Sequence, residues 1–460
     1  MMLATSAALL SACKRKQRTK VVEVWDDEPV PQLADAIAAL APPWPAPTRG
    51  ILDNGLVSFW LHEADSPAAH VRLLLSTRGP DGETAEPEIV AIVAETLRFE
   101  WQRRLQRHGA AVRSSAGPDR IEISASAHAA ALTPMLAQLG STLAPRSPAG
   151  LEGARERLLD DARPPAALET ATSATVLQLL GHAGAVVPER LREPSRAKLH
   201  EQWQRLVDPA GAVLVAHAGA DAESAKPALR KLADPWRGDA RREPNRSAVA
   251  RLQRAMPSQS TGMRLLSAPA APLHLADGPS GTPTLVLGRT IALPDAKQRA
   301  LARLAQRVAQ EELDASIVIA GECAVWIGAA ALSRAQLERD VPREVSQLAT
   351  FATTRQPRQR LFQAAQLWLG ARVVEASSSG EDWTRLFAQA IDLSRSDTEI
   401  AGALARDAAA MLETTPEALE AWTRRWLDPR TGEPGWAWSI AGLDEDGRRR
   451  VGRIVPLTPA

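Results

Sequence analysis

The sequence predicts an α+β protein built from two similar halves, and two observations predict it. A strand, a long helix, a strand pair, a run of helices and a late buried strand follow one another twice along the chain. Asp208-Pro209, just before the late strand of the first round, returns as Asp428-Pro429 before that of the second; from 208 to 428 is an offset of 220 residues. Composition agrees. At 460 residues, 45% apolar and 24% charged, the chain is of the ordinary globular kind, with length for two or three domains of roughly 150 residues. After the N-terminus no apolar run approaches the roughly 18 residues of a membrane-spanning helix. Lys and Arg number 55 against 54 Asp and Glu, and a net charge of +1 gives no positive field to hold nucleic acid. Two cysteines, Cys13 and Cys323, supply neither a disulfide framework nor a four-ligand zinc ribbon. There are 13 Trp, 5 Phe and no Tyr, so any mechanism that needs a phenolic hydroxyl is excluded.

The first element is an address. Met1 to Ala12 is uncharged and rich in Ala, Leu and Ser, as the apolar core of a secretory signal is, although no Lys or Arg precedes it. It ends in Leu10-Ser11-Ala12-Cys13, which resembles a bacterial lipobox whose cysteine receives a diacylglycerol group. The basic run Lys14, Arg15, Lys16, Arg18 and Lys20 adds attraction to anionic headgroups. Residues 1–13 are therefore expected to be a lipoprotein signal, and 14–49, with Pro42, Pro43, Pro45 and Pro47, a semi-rigid tether.

The first domain is expected over 50–236. After the turn Asp53-Asn54-Gly55, apolar alternation in Leu56 to His62 and His70 to Ser76 predicts two adjacent strands. A helix follows, with Pro87 in its first turn and Ile89, Val93, Leu97, Trp101 and Leu105 down one face before Gly109. Ala111–Ser115 and Arg120–Ala127 form a strand pair. Helices follow at about 129–141, 150–162, 166–180 and 194–206, then the buried strand Gly211–Ala218 and a helix at about 221–234. An Arg-, Ser- and Pro-rich stretch at 237–262 reads as a linker. The second domain, 263–446, has strands at Thr284–Ala292, Ala315–Ala320 and Ala324–Ala329. Its helices fall at 294–312, 334–350, 357–376, 382–392, 396–411 and 416–426, before a last strand Trp436–Ala441 and a tail at 447–460.

This order, with LDNGL at Leu52 to Leu56 and WQRLVDPAGAVLVAHAGAD at Trp203 to Asp221, resembles the insulinase/pitrilysin family of zinc metallopeptidases over roughly 50–445. The resemblance implies two homologous insulinase-type domains, each a mainly antiparallel sheet packed with several helices. It implies that they close as a clamshell around a chamber that takes in extended peptides. The family's chemistry rests on HxxEH in the first long helix, where positions i and i+4 share a face, so that two imidazoles hold zinc while the carboxylate activates its water. The matching residues here are Ile92, Glu95 and Thr96. Ile92 has no lone pair and Thr96 only a neutral hydroxyl. The family's downstream glutamate falls on Asp161, one methylene shorter. Zinc needs about three good protein ligands, so no catalytic residue, no metal ligand and no cofactor are expected. Glu95 reads as a solvated or chamber-facing carboxylate. The family's second half also grips substrate through a Gly-rich loop, an Arg and a Tyr; this chain has no Tyr, and the turn between Glu312 and Ala315 leaves no room for the loop.

Other chemistry is sparse. No two of the eight histidines sit at i, i+3 or i+4, although His62 and His70 could meet across their strand pair. His182 reads as structural, and Cys323 as a buried small hydrophobe. Arg103, Arg104 and Arg107 read as a solvated face. The sequence thus points to a non-catalytic insulinase-family lipoprotein of the bacterial envelope, facing the periplasm or exterior. Its expected partners are an active peptidase subunit of the same family, extended peptides and, through the lipid, a membrane; nucleic acid is not among them. Two alternatives stay open: an active zinc peptidase using Glu95, Asp161 and a histidine, and a structural envelope lipoprotein.

Overall fold

The computed structural model describes residues 47–77, 85–117, 120–144, 150–161, 188–237, 274–275, 281–293, 295–312, 315–320, 323–353, 358–391, 400–428 and 436–451, with a few helical positions between 167 and 179. The expected signal, lipid-bearing Cys13, nearly all of the tether and linker, and His182 lie outside them.

The first half holds β1 (Thr48–Ile51), β2 (Val57–His62), β3 (Ala68–Ser76), α1 (Pro87–Leu105), β4 (Ala111–Ala116) and β5 (Arg120–His128). It continues with α2 (Leu132–Leu143), α3 (Leu151–Asp160), α4 (Arg196–Leu206), β6 (Ala212–Ala218) and α5 (Ala222–Ala233). The second holds β7 (His274–Leu275), β8 (Thr284–Ala292), α6 (Ala296–Glu312), β9 (Ala315–Ala320), β10 (Cys323–Ala331), α7 (Leu337–Thr353) and α8 (Arg358–Ser378). It ends with α9 (Gly380–Ile391), α10 (Ile400–Leu412), α11 (Pro416–Leu427), β11 (Trp436–Ala441) and α12 (Glu445–Val451).

The sheets repeat one topology. The first runs β1-β2-β6-β3-β5-β4 and the second β7-β11-β8-β10-β9, so removing β1 makes the two orders equivalent. In each, the late strand is parallel to one neighbour and antiparallel to the other. The remaining pairs are antiparallel. This corrects the expectation that β2 and β3 are adjacent, because β6 lies between them. Its run Ala-Val-Leu-Val-Ala-His-Ala is buried at every position, which suits a central strand covered on both faces. His62 and His70 consequently do not meet; His70 stands opposite His217 of β6.

Each sheet packs one face on the helices of its own half. Leu73, Leu75, Ile121 and Ile123 meet Ile89, Val93, Leu97 and Trp101 of α1, and in the second half Leu285, Leu287 and Trp326 meet Leu301, Leu304 and Val308 of α6. The other face is covered by the opposite half. Trp383, Leu386, Phe387 and Ile391 of α9 pack on Phe59, Leu74, Val213 and Val215 of the first sheet. Reciprocally, Ala171 and Leu179 pack on Val286, Val325 and Ala437 of the second. Both approaches are close enough to need glycine. A Cβ at Gly380 would lie 2.1 Å from Nδ1 of His217, and one at Gly288 2.5 Å from the Thr175 methyl. The exchange of helices makes the halves parts of one packed body.

A polar cluster edges the first of these contacts. Nε2 of His217, a 3% exposed residue, is 2.7 Å from Glu63, and its ring centre is 5.9 Å from that of His70. His70 Nδ1 is 2.9 Å from Ser126 Oγ, which is 3.3 Å from Glu381 on α9; Arg113 adds an ion pair to Glu381 at 2.7 Å. Beyond the last strand, Glu445–Val451 is a helix with Gly447 and Val451 buried, so the stretch expected as a tail from 447 begins inside a helix.

Candidate functional site

The site the sequence singles out lies on α1. Pro87 and Glu88 suit its first turn, where backbone N–H groups have no acceptor and the helix dipole favours an acid. The α-helix stops at Leu105, and a short 3₁₀ turn carries the chain to Gly109, whose φ of 66° only glycine adopts without strain.

Ile92 and Thr96 are both fully buried. Ile92 faces the apolar core, and Thr96 Oγ1 donates to the Ile92 carbonyl at 2.7 Å, so its hydroxyl is spent within the helix. Glu95 is not solvated: its side chain is 13% exposed and held by two arginines. Arg98 donates from Nε to one carboxylate oxygen at 2.8 Å and from Nη2 to the other at 2.7 Å. Arg157, on α3, donates from Nε at 3.0 Å, and its guanidinium lies 3.9 Å from the centre of the Phe99 ring. Burial alone would push the Glu95 carboxyl up, but these hydrogen bonds and charges override it and hold the group below the usual glutamate range. The bond to Glu95 in turn raises Arg98.

Asp161, placed by the sequence at the downstream ligand position, is the exposed cap of α3. Its backbone N–H donates to the Arg157 carbonyl, and it is not among the partners of Glu95. The residue that crosses from α3 to α1 is therefore Arg157, a cation where the sequence placed an acid. Arg98 could have been found from its spacing of three from Glu95. Arg157 could not, since nothing local relates positions 62 residues apart.

The fit to zinc is poor on every count. Of the four residues, only Glu95 and Asp161 carry a metal-binding group, Glu95 already faces two guanidiniums, and Arg157 brings positive charge to the place. Among the described residues no three His, Cys, Asp or Glu side chains lie close enough to hold a metal ion. A carboxylate stabilised in this way is also a weak base, the opposite of what water activation requires. In the second half, α6 ends at Glu312 and β9 begins at Ala315, leaving a two-residue connection where the substrate-gripping loop was expected to be missing.

By sequence, no family model and no curated protein matches the chain. Its structure is similar to several that have been solved. A peptidase M16 inactive domain from Pseudomonas fluorescens superposes with a TM-score of 0.63 at 14% identity, covering 86% of this chain and 98% of that one. A protease from Helicobacter pylori gives 0.61 at 13% identity, covering 86% and 100%. The first half of the periplasmic protease PqqL from Escherichia coli gives 0.58 at 13% identity, covering 88% and 93%. These identities establish likeness of fold, and the expectation drawn from the sequence meets it there: the chain has the two-domain α+β fold of the M16-like, insulinase-type peptidases.

Proposed function

We propose that the chain is a non-catalytic peptidase homologue of the bacterial envelope, lipid-anchored through Cys13. It acts as partner subunit of an active peptidase of this fold or as a holder of extended peptides. The observation that carries the reading is the Glu95 cluster. The one carboxylate left from the motif is fixed between Arg98 and Arg157, with Ile92 and Thr96 offering zinc no donor. Support comes from a solved neighbour described as an inactive M16 domain and from one described as the first half of a periplasmic protease.

The test is elemental analysis of the purified protein, peptide cleavage with and without chelator, and crosslinking in the native envelope. The expected result is no stoichiometric zinc, no chelator-sensitive cleavage, and a crosslinked peptidase or peptide. Stoichiometric zinc with chelator-sensitive cleavage would overturn the reading. A Cys13→Ala variant is expected to move from the membrane to the soluble fraction; continued membrane attachment would remove the lipid from it.

A further inference from the structure

The long helix of the second half carries a cation that no acid pairs with among the described residues. Arg303 lies on α6 and is half-buried; its Nε is fully buried and lacks an acceptor, and the residue makes no hydrogen bond or ion pair among those described. Its guanidinium carbon lies 5.4 Å from the centre of the Trp368 ring on α8, and that of Arg372, one turn further along α8, lies 5.4 Å from the same ring. The acids nearby are engaged. Asp407 on α10, 0% exposed, receives bonds from Arg299 Nε at 3.0 Å and Nη2 at 2.8 Å. Arg372 Nη1 donates to Gln389 at 2.9 Å and to Glu375 at 3.3 Å. Burial and the charge of Arg372, helped by Arg299 and opposed by Asp407, bring the Arg303 guanidinium down to about 10, still protonated at neutral pH.

The surface beside it is apolar. Leu367 and Val374 on α8 are 55% and 63% exposed, and nothing lies within 4 Å of the point where a Cβ at Gly370 would stand. On a helix these positions form the stripe next to Trp368 and Arg372. A free phosphate or a nucleic acid has no use for that stripe. A protein segment that sets an acidic side chain among apolar ones uses both, and guanidinium nitrogens match the planar carboxylate.

We propose that Arg303, Trp368 and Arg372 form a docking site for an Asp or Glu side chain of a partner protein, whose apolar neighbours cover Leu367 and Val374. The proposal gives the partner of the preceding section its chemistry and rests on that reading only for the partner's existence.

The test uses the purified full chain labelled with fluorotryptophan, the Trp368 fluorine signal being assigned by its loss in Trp368→Phe. The probes are the capped tripeptides acetyl-Leu-Glu-Leu-amide and acetyl-Leu-Gln-Leu-amide, with inorganic phosphate as a third arm. The expected result is a saturable shift of the Trp368 signal with the Glu probe, at least tenfold tighter than with the Gln probe or phosphate, and loss of that preference in Arg303→Gln. In parallel, Arg303→Met is expected to melt at or above the wild-type temperature without ligand, since an arginine kept for a partner is a burden on the free protein. Equal response to the Glu and Gln probes, tighter binding of phosphate, no saturable shift, or a lower melting temperature for Arg303→Met would each overturn it. None of these measurements involves zinc or cleavage, so failure here and failure of the proposed function are told apart.

Discussion

In the first half, α1 meets α3 across a carboxylate enclosed by guanidiniums; in the second, the equivalent pair α6 and α8 meets across a guanidinium that no carboxylate pairs with among the described residues. The helices correspond in order, since α1 and α6 each precede an antiparallel strand pair and α3 and α8 each come second after it. The contrast lies in charge. Arg98 and Arg157 supply the positive charge around the Glu95 carboxylate, although Nη2 of Arg157 is itself buried without a partner among the described residues. Arg303, half-buried, has no acid bonded to it among the described residues. A partly desolvated charge without a paired acid adds little to the stability of the free protein, which is the ground for looking to a partner.

The comparison breaks first at Asp407. If Arg299 depends on it as the three bonds between them imply, Asp407→Ala strands a buried guanidinium beside Arg303. It should then cost about 3–5 kcal/mol in urea unfolding. A loss under about 1 kcal/mol would mean that this region tolerates unpaired cations, and Arg303 would lose its significance. Glu95→Ala should cost less, about 1–3 kcal/mol, because the arginine side chains it releases are 34% and 31% exposed and can turn to solvent. Combined with Arg157→Ala, it should show a coupling of at least about 0.5 kcal/mol. Strict additivity would make Glu95 and Arg157 neighbours without a shared role.

How much of this the sequence discloses depends on the range of the signal. Thr284–Ala292, Ala315–Ala320 and Trp436–Ala441 are strands at their expected bounds, because β-branched or aromatic runs between turn residues carry local information. The place of β6 between β2 and β3 is a fact about partners, and periodicity does not name partners. Its unbroken apolar run was a hint of two-sided burial; nothing in it said that α9, some 160 residues on, covers the second side. At the site, the loss of donors at Ile92 and Thr96 is legible residue by residue. The fate of Glu95 is not, because it turns on Arg157 of another helix. The two-residue β7 and the four-residue β1 are too short to show a period at all.

A smaller effect concerns the contact between α9 and the first sheet. Burial, then the charge of His217, hold His70 below its ordinary value against the pull of Glu381 and Asp382, with Arg72 also lowering it. A histidine depressed in the folded state contributes stability that is complete above its unfolded value, about 6.5, and is lost as pH falls through the lower folded value. The melting temperature of the wild type should therefore fall more steeply from pH 7 to pH 5 than that of His70→Gln, which has no titrating group there. Parallel profiles would place the acid sensitivity elsewhere.

The smallest effect separates the two helix pairs most sharply. Arg157 rests over Phe99 and Arg303 over Trp368, so both halves use an aromatic ring beneath a guanidinium. In the first half the ring is an addition, since Glu95 already fixes Arg157, and Phe99 is 38% exposed. Phe99→Ala should cost only about 0.5–1 kcal/mol, mostly in the cation–π contact, and should leave the coupling between Glu95 and Arg157 intact. In the second half the ring is the one described contact that Arg303 has, so Trp368→Leu should release its side chain. If Phe99→Ala instead erased the Glu95–Arg157 coupling, the ring rather than the acid would orient Arg157. The first half would then rely on an aromatic platform as the second does, and the contrast between a closed charge pair and an open one would no longer hold.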